Sequence, residues 1–341
     1  MPRAPASVED AQGAPRFGTY AGSLEAVDLR ALKGAFQPRA PERLLTHKRW
    51  LYGFVATREV AALFAIVDLG YSASAFAMAV DLGTQRVLAD GGALGLPPQA
   101  SVNRHLGPGL SAVFRHPTMR VGASRATHAT TYRARVRLGG LRTRLALDLA
   151  LDTSAAGPAL TVIAPVDGGV VNVTQKWAGL AASGELRAGG RRYPLAGGVG
   201  GLDGTHGYLA RHTSWRWAFA CGRLEDGTPL GLNLVEGFNE AREDVNENAV
   251  WLGGALWPVG RARFQWNHDD PLDRWHVTTT DGAVELTFRP LAVHREDRDL
   301  VLVRTRFVQP LGTWEGTLRL GGRVHRLRQV PGVAEDQNAT W

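Results

Sequence analysis

The chain is poor in the features that mark secreted, metal-binding and membrane proteins. Cys221 is the only cysteine in 341 residues, which excludes an intrachain disulfide and a cysteine-rich metal site. No stretch approaches the roughly 20 apolar residues that cross a bilayer as a helix. The segment from Met1 to Asp10 lacks the apolar core of a secretion signal. We therefore expect no integral membrane segment and a cytoplasmic location.

Lysine is also scarce. The chain has 39 lysine and arginine residues, but Lys33, Lys48 and Lys176 are its only lysines. The arginines alternate with other residues, as in Arg135-Val136-Arg137, and form no long runs. A nucleic-acid site would concentrate cations on one face, so the net charge of +7 does not indicate one. We expect no nucleic-acid partner.

Motifs for nucleotide, nucleophile and metal chemistry are missing as well. Residues 197–201 are glycine-rich but lack the lysine and the strand–turn–helix context of a phosphate-binding loop. Ser214 does not lie in a G-x-S-x-G elbow. His268 is close in sequence to three aspartates, but residues 267–273 have the composition of a turn. The sequence predicts no metal site and no cofactor.

What the sequence does contain is an internal repeat. Residues 183–195 (SGELRAGGRRYPL) recur as residues 315–327 (EGTLRLGGRVHRL) at a constant offset (321 − 189 = 132). Each copy precedes a polar segment that ends in a tryptophan, Asp203 to Trp215 and Glu335 to Trp341. Because solenoid repeats have periods of roughly 20–50 residues, this offset indicates two copies of one β-unit.

Turn signals are regular along the chain. Gly-Gly pairs separate strand-like runs, and such pairs suit the positive φ angles of type I′ turns. They occur at 139–140, 189–190, 253–254 and 321–322. In residues 130–138, period-two alternation places the arginines on one face and Tyr132, Ala134 and Val136 on the other, with residues 141–148 as the return strand.

This pattern predicts an all-β protein of two tandem antiparallel β-barrel or sandwich domains with few short helices. The best helix candidate is residues 23–35. We expect an N-terminal arm over 1–45, of which 1–16 is loose, a first β-domain over 46–200 and a second over 201–341. The oligomeric state is left open.

Several motifs together resemble a known family. They are K48-R-W-L-Y-G-F54, D68-L-G-Y71, W215-R-W-A-F-A-C-G222, N233-L-V-E-G-F-N239, E247-N-A-V-W251 and G332-V-A-E-D-Q-N-A-T-W341. The chain resembles the uncharacterised bacterial domain-of-unknown-function family 2804 and, more distantly, the carotenoid 1,2-hydratase and AttH-type group. The distant resemblance implies two lipocalin-like β-domains that act on hydrophobic small molecules without a metal or nucleotide. In that group a histidine follows the acid that ends each repeat, whereas Gln337 stands there in the second copy.

The densest polar cluster lies in residues 233–248. Glu236 enters from an apolar strand, and burial there would raise its pKa and suit it to general acid catalysis. Glu247 begins the next strand, so a hairpin would bring it near Glu236 and give one acid and one base. The alternative is a solvated loop in which Glu236 caps backbone amides.

Other polar and aromatic residues form candidate ligand contacts. His212 is a third catalytic candidate, because histidine is the side chain suited to proton transfer at neutral pH. Arg211 could clamp a carboxylate, although a domain linker with surface ion pairs explains the same residues. Large aromatics of a β-protein are more often core. The predicted ligand-binding residues are Tyr71, Arg211, Trp215, Trp217, Asn239, Asn248, Trp251 and Asp336.

Together these residues predict a cofactor-independent acid–base enzyme of the hydratase, isomerase or cyclase type. Its substrate would be a hydrophobic or amphipathic small molecule bound in a barrel or between the domains. A non-catalytic carrier with the same pocket is one alternative. A carbohydrate-active enzyme is another, because tryptophan platforms and paired carboxylates also suit sugar cleavage.

Overall fold

The computed structural model describes residues 1–140, 142, 144–299 and 304–341. In these residues there is one short α-helix, α1 (Ala40–Thr46), and there are 3-10 turns at Leu29–Ala31, Gly34–Phe36 and Pro97–Gln99. The helix expected over residues 23–35 was wrong. Leu29 and Leu32 are buried there, and the extended backbone of Leu32 and Lys33 separates the two turns of this segment.

Fourteen strands form the first sheet. They are β1 (Gly18–Ala21), β2 (His47–Ala56), β3 (Val60–Asp68), β4 (Ala73–Asp81), β5 (Arg86–Gly95), β6 (Ala100–Val102), β7 (Ser111–His116), β8 (Met119–Ser124), β9 (Thr131–Leu138), β10 (Leu145–Asp152), β11 (Leu160–Pro165), β12 (Val171–Ala188), β13 (Arg191–Pro194) and β14 (Gly198–Tyr208).

The second sheet has nine strands. They are β15 (His212–Arg223), β16 (Pro229–Glu236), β17 (Ala249–Leu252), β18 (Ala255–Pro258), β19 (Ala262–Gln265), β20 (Trp275–Thr279), β21 (Val284–Asp299), β22 (Arg304–Leu320) and β23 (Arg323–Thr340).

The strand pairs are antiparallel in both sheets. The first sheet follows the order β5-β4-β3-β2-β14-β12-β10-β9-β8-β7-β6 and curls until β6 and β7 meet β3 and β4. The second follows β18-β17-β16-β15-β23-β22-β21-β20-β19, and β19 approaches β16. A barrel and a half-barrel result, so the predicted all-β, tandem lipocalin-like fold is confirmed.

The hairpin expected at residues 130–148 is present as β9 and β10. Val136 is buried while Arg135 and Arg137 pair with Asp148 on the outer face, as period-two alternation requires. Leu141 and Thr143 of the expected return strand lie outside the described residues.

The two copies of the sequence repeat have the same local structure. The turn glycines Gly189 and Gly190 have φ angles of 57° and 77°, and Gly321 and Gly322 have 57° and 74°. Such positive values match the type I′ geometry that closes a two-residue hairpin. The repeat is therefore a structural duplication of one hairpin, once in each sheet.

The N-terminal residues pack on the first sheet rather than extending away from it. β1 pairs with β11, and Val8, Leu24 and Val27 are buried. Residues 1–16 were expected to be loose, and this prediction was wrong for Val8, which is fully buried. β14 spans residues 200 and 201 and belongs to the first sheet, whereas β15 belongs to the second. We propose residues 209–211 as the limit between the two halves.

Three apolar layers result: one inside each curled sheet and one between the sheets. The layer between the sheets joins Phe54, Leu63 and Met78 of the first sheet to Phe219, Leu311 and Val333 of the second. No helix in the described part of the chain is long and apolar enough to cross a membrane.

Candidate functional site

A cavity of about 170 Å³ lies between the two sheets, beside the shared apolar layer. We call it the site cavity. Its walls come from β2, β3, β4, β12 and β14 of the first sheet and from β15, β16, β21, β22 and β23 of the second. Aromatic and aliphatic side chains cover most of it, and buried charged residues form one side. Both halves of the chain are needed to build it.

The charged side of the cavity begins with a row across three neighbouring strands. Lys176 on β12 pairs with Asp203 on β14, which pairs with Tyr52 on β2. The Lys176 Nζ atom lies 3.1 Å from Asp203 Oδ2 and 3.6 Å from Glu247 Oε1. These three charged side chains are nearly inaccessible to solvent. Buried charges persist when they are paired and hydrogen-bonded, and this cluster meets that condition.

Glu247 is fixed by two asparagines. The Asn239 side chain donates to Glu247 Oε2 at 2.6 Å, and Asn233 donates to the Glu247 backbone carbonyl at 2.6 Å. Asn239 has a positive φ of 57°, a conformation that asparagine tolerates better than most residues. Burial raises the pKa of Glu247, although the Lys176 charge opposes the shift.

Glu335 on β23 supplies the second buried acid of the cavity from the other sheet. Its carboxylate accepts a hydrogen bond from Trp215 Nε1 at 2.7 Å and another from the Gln309 amide. Burial raises the pKa of Glu335 to about 7 and the Asp203 charge adds to the rise, while Trp215, Gln309 and Lys176 oppose it. A carboxyl group with this pKa exchanges protons at neutral pH.

Lys176 and Tyr52 complete the electrostatics of the cavity. Burial disfavours the Lys176 ammonium, but Asp203 and Glu247 outweigh burial and raise its pKa, so it stays cationic. Burial raises the pKa of Tyr52 well above its ordinary value, which keeps the phenol protonated. The Tyr52 hydroxyl has no hydrogen-bond partner among the described residues, so a ligand can use it.

The aromatic residues of the cavity are related by an approximate two-fold arrangement. Trp50, Tyr52 and Phe54 occupy alternate positions of β2, and Trp215, Trp217 and Phe219 occupy the corresponding positions of β15. Each faces its counterpart: the ring centroids are 5.8 Å apart for the Trp50–Trp215 pair, 5.0 Å for Tyr52–Trp217 and 6.4 Å for Phe54–Phe219.

The acids follow the same arrangement. Asp203 and Glu335 are separated by the offset of the sequence repeat, and both point into the cavity. Asp203 pairs with Tyr52 across two strands, and Glu335 pairs with Trp217. Each copy of the repeated unit therefore contributes one acid beside one aromatic ring.

Some predicted site residues meet at this cavity. Glu247, Trp215 and Trp217 line it, and Asn239 binds Glu247. Trp251 packs in the apolar layer between the sheets, where its Nε1 donates to the Pro158 carbonyl at 2.8 Å.

Glu236 and Asp336 lie on the opposite face of the second sheet. Arg216 Nη1 is 2.7 Å from Glu236 Oε2, and Arg216 Nε is 3.8 Å from Asp336 Oδ1. The structure therefore does not bring Glu236 together with Glu247. Alternation along β23 explains why Glu335 and Gln337 face the site cavity while Asp336 faces away.

The remaining predicted residues lie outside the cavity lining. His212 is exposed at the start of β15, and Arg211 donates to the Trp341 backbone carbonyl. The Tyr71 ring lies 4.2 Å from Lys48 Nζ. Asn248 accepts from the Val235 backbone N–H at 2.6 Å, a structural role.

Sequence reasoning did not identify Lys176 and Tyr52, and it placed Asp203 and Glu335 in the polar segments that follow the repeats without selecting them as catalytic or ligand-binding residues. Two signals could have found them. Lys176 is one of only three lysines and lies in a strand. Asp203 and Glu335 are acids at the repeat offset, each in a segment where period-two alternation fixes the facing side. No three His, Cys, Asp or Glu side chains of the described residues are grouped to hold a metal ion.

Comparisons with known proteins agree with this architecture. Kievitone hydratase from Nectria haematococca has a similar structure, with a TM-score of 0.54, 11% identity and coverage of 98% of both chains. The crystal structure of CghA gives 0.52 and 14%, covering 96% of this chain and 98% of that one. CghA with Sch210972 gives 0.52 and 13%, covering 96% and 99%. At these identities the likeness shows the fold alone.

The comparison with curated proteins found no match. A family model, described as a domain of unknown function (DUF2804), matches residues 3–341, nearly the whole chain. The resemblance identified from the sequence motifs is thereby confirmed, and the chain belongs to the DUF2804 family.

Proposed function

We propose that this protein is an enzyme that uses its own acid and base groups, without a metal or nucleotide cofactor, on a small molecule bound in the site cavity. The reaction class is hydration or its reverse, isomerisation or cyclisation. The substrate is hydrophobic or amphipathic and carries no net charge in the part that enters the cavity. One observation carries the proposal. Glu335, a buried acid with a pKa of about 7, lines the same apolar cavity as the charged cluster of Lys176, Asp203 and Glu247.

The lining supports an uncharged substrate. Trp50, Trp215 and Phe76 offer aromatic surface, which binds apolar rings and chains by area burial. The charged cluster is net negative, because the single Lys176 ammonium lies between two carboxylates, Asp203 and Glu247. An added anionic group would face these acids, and both cations among the described lining residues, Lys176 and Arg298, are already paired.

The residues divide the chemistry as follows. Protonated Glu335 donates its proton to the substrate atom that gains electrons. Asp203, held beside Lys176, accepts a proton from the attacking water or from the substrate carbon. The Lys176 ammonium and the free Tyr52 hydroxyl stabilise negative charge as it develops on a substrate oxygen. Proton transfer by positioned side chains typically accelerates a reaction by about 10²–10⁴-fold.

The similar structures support the choice of reaction class. One of them is named a hydratase, and another was determined with the small molecule Sch210972. Both share this fold over nearly their whole length, which makes an organic small molecule the first class of ligand to test.

The test combines ligand discovery with a variant series. The protein is incubated with a panel of uncharged, unsaturated or hydroxylated ring compounds, and products are followed by mass spectrometry for a gain or loss of water or for isomers. We expect Glu335→Gln to lower turnover at least about 100-fold while ligand retention in native mass spectrometry persists. Glu285→Gln removes an exposed carboxylate of the same sheet and serves as the control with unchanged turnover.

Two outcomes would contradict the proposal. Equal turnover of wild type and Glu335→Gln would remove Glu335 from the chemistry. Retention of a ligand that is never converted, by wild type or variant, would favour the carrier function, which the apolar lining also supports.

A further inference from the structure

A second cavity, of about 440 Å³, lies at one end of the first sheet. We call it the mouth cavity. Its lining includes Arg30, Arg43, His47, Arg49 and Tyr208. His47 and Arg49 alternate along β2 with Trp50 and Tyr52, so they face the opposite side of the strand from the site cavity. The two cavities are therefore separate.

The mouth cavity carries more positive charge than its carboxylates balance. Arg49 pairs with Asp68 at 2.7 Å, but Arg30 and Arg43 form no side-chain ion pair with any described residue. The acids nearby are committed elsewhere. Asp28 pairs with Arg104 at 3.1 Å.

Glu42, the other carboxylate of this region, accepts a hydrogen bond from the backbone N–H of Arg39. Two guanidinium groups at the cavity wall are thus available to an anion.

Polar atoms at the wall lack partners as well. His47 Nε2 and Arg49 Nε are buried and have no hydrogen-bond partner among the described residues. Burial, followed by the charges of Arg49, Arg30 and Lys48, lowers the pKa of His47 to about 3. His47 is therefore a neutral imidazole in a positive field. Unsatisfied buried polar groups are uncommon in native proteins, and two of them on residues that line one cavity indicate a missing partner.

We propose that the mouth cavity is a binding site for an anionic group, a phosphate or a carboxylate of a small molecule, held by Arg30, Arg43 and Arg49. Planar guanidinium groups bind both anions through paired hydrogen bonds. His47 completes the site by donating from Nε2, and the Tyr208 ring, 5.2 Å from the His47 ring, forms its floor. The site does not depend on the function proposed for the site cavity.

The test uses inorganic phosphate and acetate as separate probes, titrated into the whole protein by isothermal calorimetry at constant ionic strength. Saturable binding of phosphate alone identifies a phosphate site, and binding of acetate a carboxylate site. We expect Arg30→Gln and Arg43→Gln each to weaken binding about tenfold, since one hydrogen bond to a charged group is lost. Both arginines lie at the surface, so the fold should persist, and thermal unfolding checks this.

Arg39→Gln is the matched control, because Arg39 precedes α1 but does not line the cavity, and its affinity should equal that of wild type. An independent readout is the His47 imidazole, whose pKa should rise on anion binding in a titration followed by NMR. Absence of saturable binding of both probes, or equal affinity of Arg43→Gln and wild type, would overturn the proposal.

Discussion

At the scale of single residues, the cost of burying Glu335 makes the stability of the protein depend on pH. The carboxyl has an ordinary pKa of 4.5 and a folded-state pKa of about 7. Between these values the folded state binds more protons than the unfolded state, so this residue's contribution to stability falls as pH rises from about 4.5 through 7.

Replacing Glu335 by Gln should remove this dependence. Relative to the variant, the wild type should lose on the order of 3 kcal/mol of unfolding free energy between pH 4.5 and 8. Urea unfolding of both proteins across this range measures the difference. If the two proteins differ in unfolding free energy by the same amount at every pH, the pKa of the Glu335 carboxyl is not raised in the folded state.

Replacing Tyr52 by Phe tests whether the Tyr52 hydroxyl serves ligand binding rather than stability. Its hydroxyl has no partner among the described residues, so Tyr52→Phe should leave unfolding free energy within about 0.5 kcal/mol of wild type. The Tyr193 hydroxyl donates to Asp81 at 2.9 Å, so Tyr193→Phe should cost about 1 kcal/mol. A substrate that uses the free hydroxyl should be turned over more slowly by Tyr52→Phe. Equal losses of stability in the two variants would show that Tyr52 is bonded.

The sequence indicated suitable types of site residue, but it did not indicate toward which face of the sheet their side chains point. Trp215 and Trp217 were predicted as ligand-binding residues, and both line the site cavity. The sequence did not tell which face of the last strand borders the site, and so the acid selected from that segment was Asp336 rather than Glu335. Asp336 instead lies near Arg216, a partner that a linear sequence does not reveal.

At the scale of elements, a glycine allows close approach of the two sheets at Gly231. A Cβ atom added to Gly231 on β16 would lie 2.4 Å from the Ala178 Cβ and 2.6 Å from its backbone carbonyl carbon. That contact is between β12 of the first sheet and β16 of the second. Backbone on one side cannot move aside as a flexible side chain does.

Gly231→Ala should therefore lower the unfolding free energy by about 1–3 kcal/mol through overpacking. Gly122 on β8 is the matched control, because nothing lies within 4 Å of its added Cβ; Gly122→Ala should change stability by less than about 0.5 kcal/mol. Chemical denaturation of both variants measures the effect. A neutral Gly231→Ala would indicate that the sheets are further apart.

Element types were predictable because their signals are local. The Gly-Gly pairs marked the turns of both copies, and period-two alternation marked the strand β9. The segment 23–35 failed since its apolar residues are buried by packing on the first sheet, not by helical periodicity. A local sequence pattern does not reveal that this segment packs on the first sheet.

At the scale of the whole molecule, an ion pair between His294 and Asp90 joins the two sheets. His294 on β21 stacks on Phe76 of β4 with ring centroids 4.6 Å apart, and its Nδ1 lies 2.7 Å from Asp90 Oδ1 on β5. Burial opposes the charged form, but Asp90 and Glu296 raise the pKa of His294 to about 9.

Because this folded-state pKa exceeds the ordinary 6.5, the contact should stabilise the protein below pH 6.5 and lose its effect as pH rises through 9. Asp90→Asn should reduce this loss, since Glu296 remains beside His294, and should lower stability at pH 6. Asp297→Asn is the control, because Asp297 is exposed and lies on β21, the strand of His294. Urea unfolding at pH 6 and pH 9.5 measures both. A pH dependence that is unchanged in Asp90→Asn would exclude this ion pair as its source.

The sequence did not predict how the two halves pack against each other. The repeat predicted two similar units, but the site cavity lies between them, and its walls come from strands far apart in sequence. Lys176 meets Glu247 only because β12 crosses the second sheet near β16. Such long-range geometry follows from packing of the two sheets as a whole.

The two-fold arrangement of the cavity is broken at the acids and at the rings. Asp203 stands opposite the longer Glu335, and the Tyr52 phenol opposes the Trp217 indole. A perfectly symmetric chamber would accept a guest and the same guest turned end over end with equal energy. Here the acids and the rings differ between the two sides, so under the proposed function a substrate should bind in a single orientation. If the proposed reaction creates a stereocentre, we expect a single enantiomer as its product.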